Sequence, residues 1–331
     1  MRAFRYARAS DPGAAATLVA GTPDAAYLGG GTNLVDLMKL GVLRPGLLVD
    51  VSGLPYDVVE HRPDGSVLIG GAVRNARLAL DEGIRRRYPA VARAVLAGAS
   101  GQIRSQATVA GNLLQRTRCP YFQNISTPCN KREPGSGCSA IPGAHRDLAV
   151  IGTSDSCVAS HPSDLAVALA AHDAVVQVRR PDGIERLVPI HDLHRLPGDT
   201  PWIETVLEPG DLITGVQLPA PPDGALATYR KVRDRWSYAF AVVSVAAVLR
   251  RDAGGRLDEV RLALGGVAPK PWRLWATERL LTGTDPGDDE VRAATRAAFA
   301  DARPLPDNAF KIDLAAGLVA AVLRVPDGAG R

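Results

Sequence analysis

Over the first hundred residues, short apolar runs broken by glycine turns alternate with stretches of helical spacing. Residues 25–28 are an apolar run, 29–33 a turn and 34–38 the start of a helical pattern, which predicts strand, turn and helix. Residues 47–51 predict a buried strand closed by Ser52 and Gly53. Residues 67–72 predict another, running into the glycine pair Gly70 and Gly71. Residues 88–99 have helical spacing and little charge, the pattern of a buried helix.

From 115 to 160 the periodicity disappears, and Pro, Gly, Cys, Asn and Ser take over. A loop of this length inside a compact domain is usually functional or disordered. Regular patterns return with a helix predicted at 164–170 and a strand at 174–178. The Pro-Ala-Pro-Pro-Asp-Gly stretch at 219–224 is the clearest boundary signal. Beyond it, 239–249 and 261–267 predict strands, followed by Ala-rich helical segments. The order is that of an α+β protein, with a nucleotide-binding part up to about residue 218 and a smaller C-terminal domain.

Composition changes this picture little. The 331 residues are 46% hydrophobic and 22% charged, as in ordinary globular proteins. The net charge of +4 is small for the length, and the run Arg85, Arg86 and Arg87 reads as a solvated helix face, so no nucleic-acid partner is expected. No apolar run reaches the roughly 18 residues of a membrane span. No apolar segment follows the basic start, so no signal peptide is expected. The expected compartment is the cytoplasm, unless the chain is exported folded with a partner that carries the signal.

Three features carry chemistry. Gly29, Gly30 and Gly31, followed by Thr32 and Asn33, let the backbone approach a ligand and turn its N–H groups toward an anion such as a diphosphate; a plain tight turn is the alternative. The segment is neither the GxGxxG fingerprint nor a P-loop. A second segment, Thr108, Val109, Ala110, Gly111, Asn112, has the same residue types; alone it could be any strand-ending turn, but the two together could grip one diphosphate from two sides. The third feature is Cys119, Cys129, Cys138 and Cys157, all the cysteines of the chain, inside the aperiodic stretch. No paired C-x₂₋₄-C knuckle of a zinc ribbon is present, and the spacing leaves two disulfides or a four-thiolate iron–sulfur cluster open.

The two turns, with the Ser-Asp-Leu at 163–165, the basic stretch 229–235 and the Leu-Gly-Gly-Val-Ala-Pro-Lys-Pro at 264–271, resemble the FAD-binding subunits of molybdenum hydroxylases. Xanthine dehydrogenases and bacterial aldehyde and carbon monoxide dehydrogenases belong to that family. The resemblance implies a para-cresol methylhydroxylase-type FAD domain of two subdomains over 1–222, with an insertion at 115–160. A carbon monoxide dehydrogenase flavoprotein-type α+β domain would follow over 223–331. It implies that FAD is held by Ala26, Tyr27, Leu28, Gly29, Gly30, Gly31, Thr32, Asn33 and Leu34, and by Thr108, Val109, Ala110, Gly111 and Asn112. Asp164 would contact the cofactor, Ile213 would be an apolar contact near the flavin ring, and Lys231 would reach the FAD from the C-terminal domain.

In most of the family the Gly-Asn turn is followed closely by Ser-Asp-Leu. Here the cysteine-bearing stretch stands between Asn112 and Asp164. That insertion resembles the one in FAD subunits of bacterial periplasmic aldehyde oxidoreductases, which carry a [4Fe–4S] cluster. By this resemblance the four cysteines are the cluster's ligands, and Arg116, Arg118, Lys131 and Arg132 offset its charge. The implied partners are a large molybdenum-cofactor subunit and a small [2Fe–2S] subunit, in a heterotrimer or its multimer. The implied function is electron transfer through FAD to an acceptor, with aldehyde, xanthine or an N-heterocycle oxidised on the partner and no catalytic residue in this chain. A self-sufficient flavin oxidase and a zinc-stabilised binding module are the competing readings.

Overall fold

The computed structural model describes residues 1–324. Three sheets follow one another along the chain. The first is parallel, in the order β1-β3-β2, with β1 at Arg5–Arg8, β2 at Ala25–Leu28 and β3 at Leu47–Asp50. Parallel neighbours need crossovers. Helix Pro12–Ala20 connects β1 to β2, and helix Leu34–Lys39 connects β2 to β3. The second sheet is antiparallel, in the order β4-β5-β8-β6-β7: β4 Val59–His61, β5 Val67–Gly70, β6 Val175–Arg179, β7 Glu185–Pro189 and β8 Leu212–Leu218. The third, also antiparallel, runs β12-β11-β10-β9: β9 Leu226–Val232, β10 Val243–Arg251, β11 Leu257–Gly265 and β12 Trp272–Arg273.

The architecture is the expected α+β one. Helix Asp164–Ala171 is buried along its whole length, because it lies in the layer between the second and third sheets. A helix covered on every side has no polar face to show, hence its unbroken apolar sequence. Likewise β10 is apolar on both faces. Ala246 and Val248 join the core shared with the second sheet, while Val245 and Ala247 join the one under helix Phe310–Leu323.

The expected segments at 25–28, 34–38, 47–51, 67–72, 88–99, 164–170 and 174–178 all coincide with elements, to within a few residues at their ends. Residues 239–242 are not strand, and β10 begins at Val243. The second turn is corrected more substantially. Thr108 is not a strand end but the N-cap of a short helix, Val109–Leu113, and its hydroxyl accepts from the Gly111 N–H at 3.2 Å. From 115 to 160 the chain is irregular save for one turn of helix at Pro120–Gln123, yet it has its own core. That core comprises Leu37, Phe122, Ala140, Leu148, Val158 and the cysteines.

Candidate functional site

The β2-to-helix turn and the Thr108-capped helix meet face to face. A Cβ on Gly30 would stand 2.0 Å from the Gln106 carbonyl oxygen, and one on Gly29 would stand 3.0 Å from the Thr108 hydroxyl. Gly31 has φ +74°, in the left-handed region where only glycine is unstrained. The glycines therefore serve first to let two backbones touch. On either side of this contact opens a cavity, and Gly30, Gly31, Thr32, Asn33 and Gly111 line both.

The larger cavity, about 800 Å³, reaches from Asn112 and Asp164 to Lys231 and Phe240 of the third-sheet region. Its far wall is a buried network. The Tyr229 hydroxyl donates to Asp164 Oδ1 at 2.5 Å, and Lys231 Nζ donates to Asp164 Oδ2 at 2.7 Å and to the Ala97 carbonyl at 3.2 Å. Tyr229 and Lys231 are two apart on β9 and so point to one face. Burial, with the Asp164 carboxylate beside it, raises the Tyr229 phenol well above its ordinary value, so Tyr229 is a fixed donor. Ser163 caps the Asp164–Ala171 helix through Ala166 N–H and donates its hydroxyl to Asn112 Oδ1 at 2.6 Å, tying Asp164 to the Gly-Asn turn.

The smaller cavity, about 220 Å³, is lined by Tyr27, Thr108, Ala110, Leu212 and Ile213. Ile213 thus lines the smaller cavity, and Asp164 and Lys231 line the larger one. Ala26, Leu28 and Val109, expected at the cofactor, line neither cavity. Val109 is fully buried and packs into the core instead. The Asn33 side chain accepts from Arg116 N–H at 2.9 Å, leaving its buried Nδ2 without a partner.

The four cysteines, separated along the chain, line one small cavity with Tyr121, Phe122 and Ala140. All four are free thiols; Cys119, Cys129 and Cys157 are buried and Cys138 half-buried. A one-residue antiparallel bridge sets Cys129 opposite Cys138, closed by Asn130 N–H to Gly137 O at 2.7 Å. Burial pushes the Cys119 thiol up to about 11 and raises that of Cys157, which Lys131 pulls back down. The four expected cations separate. Lys131 stands by Cys157 and bonds Glu204 at 2.7 Å, Arg116 also pairs with Glu204, and Arg132 donates to the carbonyls of Tyr121 and Phe122. Arg118 turns away, toward Asp36 and Phe240.

Residues 2–221 match the FAD binding domain in molybdopterin dehydrogenase, and 227–325 match the CO dehydrogenase flavoprotein C-terminal domain. The aldehyde oxidoreductase FAD-binding subunit PaoB of Escherichia coli (strain K12) is 50% identical over 323 residues, 98% of each chain. The chain belongs to the FAD-binding subunits of the molybdenum hydroxylase family. The carbon monoxide dehydrogenase medium chain of Hydrogenophaga pseudoflava is 26% identical to this FAD-binding subunit, over 86% of it and 81% of the relative. A carbon monoxide dehydrogenase structure from that organism superposes with a TM-score of 0.74 at 23% identity, covering 97% of this subunit and 96% of that chain, and so shares the fold.

Family membership makes the subunit a FAD-binding component of an oxidoreductase. It decides against both the zinc module and the self-sufficient oxidase. The cleft fits the group: two cavities joined at a turn whose backbone is bare of side chains, with an unpartnered buried donor on Asn33. Sequence reasoning missed the Tyr229 hydroxyl, and it expected Arg118 at the cysteines, whereas Arg118 lines the larger cavity. Their only signals are the i, i+2 spacing to Lys231 and the position next to Cys119.

Proposed function

We propose that this subunit holds FAD across the cleft and a [4Fe–4S] cluster on Cys119, Cys129, Cys138 and Cys157. It passes electrons taken from an aldehyde by a molybdenum-bearing partner, through a [2Fe–2S] subunit, to an acceptor. The observation that carries the cluster is the gathering of four free thiols around one small cavity from distant chain positions. Among the described residues no three His, Cys, Asp or Glu are grouped so as to hold a single metal ion. Lys131, held by Glu204 and the Pro201 carbonyl at 2.9 Å, places a positive charge beside thiolates that burial alone would disfavour.

When bound, FAD supplies two-electron and one-electron steps between donor and acceptor. The glycine turns hold its diphosphate at the junction of the two cavities. The larger cavity would take the ring, since its walls come from several parts of the fold and include Asp164 and Lys231. The smaller would then take the adenosine end, beside Ile213. Asp164, fixed by Ser163 and Tyr229, pairs with Lys231 and holds its ammonium group along the cavity wall. The domain boundary follows from the same reading, with the FAD domain over 1–222 and the C-terminal domain over 223–331.

Anaerobic iron and sulfide analysis of the purified subunit should give about four of each per chain. Zinc in place of iron, or iron retained after all four cysteines are changed to serine, would refute the cluster.

A further inference from the structure

The cations around the larger cavity differ in how well they are satisfied. Lys231 has Asp164 at 2.7 Å. Arg104 spends one nitrogen on the carbonyls of Leu96, Gly98 and Ala99, at 3.3, 2.7 and 3.1 Å, and Lys39 is exposed. Arg118 has none of these resolutions. Its side chain is only 25% exposed and lies 5.0 Å over the Phe240 ring. Its buried Nε has no partner, and the carboxylate it faces, Asp36, stands 3.6 Å away and is itself half exposed. An arginine carries five donors in a planar fork, and burying them unpaired is costly. Arg118 and Asp36 both line the larger cavity, on the side of the helix that follows the glycine turn.

We propose that Arg118 binds the FAD diphosphate, so that the cysteine-bearing insertion contributes a charged residue to the flavin site. The inference rests on FAD occupying this cleft. The chemistry is specific: a guanidinium fork matches paired phosphate oxygens bidentately, and a carboxylate on the wall of a diphosphate site must be neutralised. The backbone around Arg118 is pinned. Cys119 N–H donates to Thr117 Oγ1 at 3.2 Å, and that hydroxyl donates to the Ser160 carbonyl at 2.9 Å. The residue next to the first cysteine is therefore held in place by the insertion's own hydrogen bonds, and reaches out of the insertion toward the cofactor. Phe240, with its ring 5.0 Å from the guanidinium, helps keep it in that orientation.

The test uses the full-length subunit with its iron content measured. In Arg118→Gln, FAD should bind about tenfold to a hundredfold more weakly, the scale of losing hydrogen bonds to a charged group. Arg118→Lys, which keeps the charge and loses the fork, should recover part of that affinity. A diphosphate has the same charge whether the flavin is oxidised or reduced, so the flavin midpoint potential should not move in either variant. A dissociation constant equal to wild type in Arg118→Gln, with iron retained, overturns the assignment. So does a displaced midpoint potential, which would put the guanidinium at the ring. A wild-type subunit that binds no FAD at all would instead overturn the reading of the cleft. If Arg118→Gln fails to fold, Arg118→Lys carries the same comparison: unchanged affinity there refutes the role of the fork.

Discussion

At the scale of the residue, Gly30 shows how a local motif can be right for a reason other than the first one. Its lack of a side chain suits a phosphate nest, but the structure gives a nearer cause, since a Cβ there would lie 2.0 Å from the Gln106 carbonyl oxygen and 2.9 Å from Ala107 Cα. These are backbone atoms and cannot rotate aside. Gly30→Ala should therefore destabilise the flavin-free protein by about 1–3 kcal/mol, the usual cost of overpacking, besides abolishing flavin retention. Urea denaturation of flavin-free wild type and variant decides it. Equal midpoints, with only flavin lost, would mean that the glycine serves the ligand alone. Tyr229 and Asp164 make the complementary point. Their 2.5 Å contact, which the sequence did not reveal, joins β9 to a helix start far away in the chain.

At the scale of the element, the cysteine insertion has almost no secondary structure and is ordered from outside. Asn308, fully buried ahead of helix Phe310–Leu323, donates to the carbonyls of His145, Leu148 and Ala149 at 3.2, 3.4 and 3.3 Å. Lys311 Nζ, equally buried, donates to Leu148 O at 2.9 Å and Gly266 O at 2.8 Å. Burial lowers the Lys311 ammonium to about 8. Irregular backbone needs such partners because its carbonyls have no ladder to enter. Asn308→Ala strips donors from that segment and should lower stability by roughly 2 kcal/mol. Limited proteolysis should then cut within 140–150 sooner than in wild type. An unchanged urea midpoint and cleavage pattern would show that Lys311 and the remaining packing suffice. The aperiodicity of 115–160 was plain in the sequence; the fact that the C-terminal region braces it was not.

At the scale of the whole molecule, the cleft lies where the three sheet regions meet, and the larger cavity takes its walls from all of them. By the proposed relay, substrate is oxidised on a partner and this subunit carries the flavin. The isolated chain should accordingly fail to oxidise aldehydes or purines. Its flavin absorbance should stay unchanged when aldehyde is added alone, and bleach only when the molybdenum-bearing and [2Fe–2S] partners are present. Direct bleaching by aldehyde, with no partner in the tube, would defeat the relay. No helix among the described residues is long and apolar enough to cross a membrane.

The sequence by itself determined elements such as 25–28, 47–51 and 164–170 and the first glycine turn, because those signals depend only on neighbours in the chain. It also marked the cysteine insertion as a unit and, through its motifs, the family. The tertiary structure alone decided which side chains meet. β1 and β4 are mostly exposed and carry charged residues, and β9 is exposed at Leu226 and Arg230, so their inward faces are faint in the sequence. A period says that Tyr229 and Lys231 share a face, but not that Asp164 waits opposite. Nor does a position beside Cys119 say that Arg118 turns toward the flavin cavity rather than the thiols. Such pairings follow from how the sheets stack, and stacking is set by the summed burial of many side chains rather than by any local run of sequence.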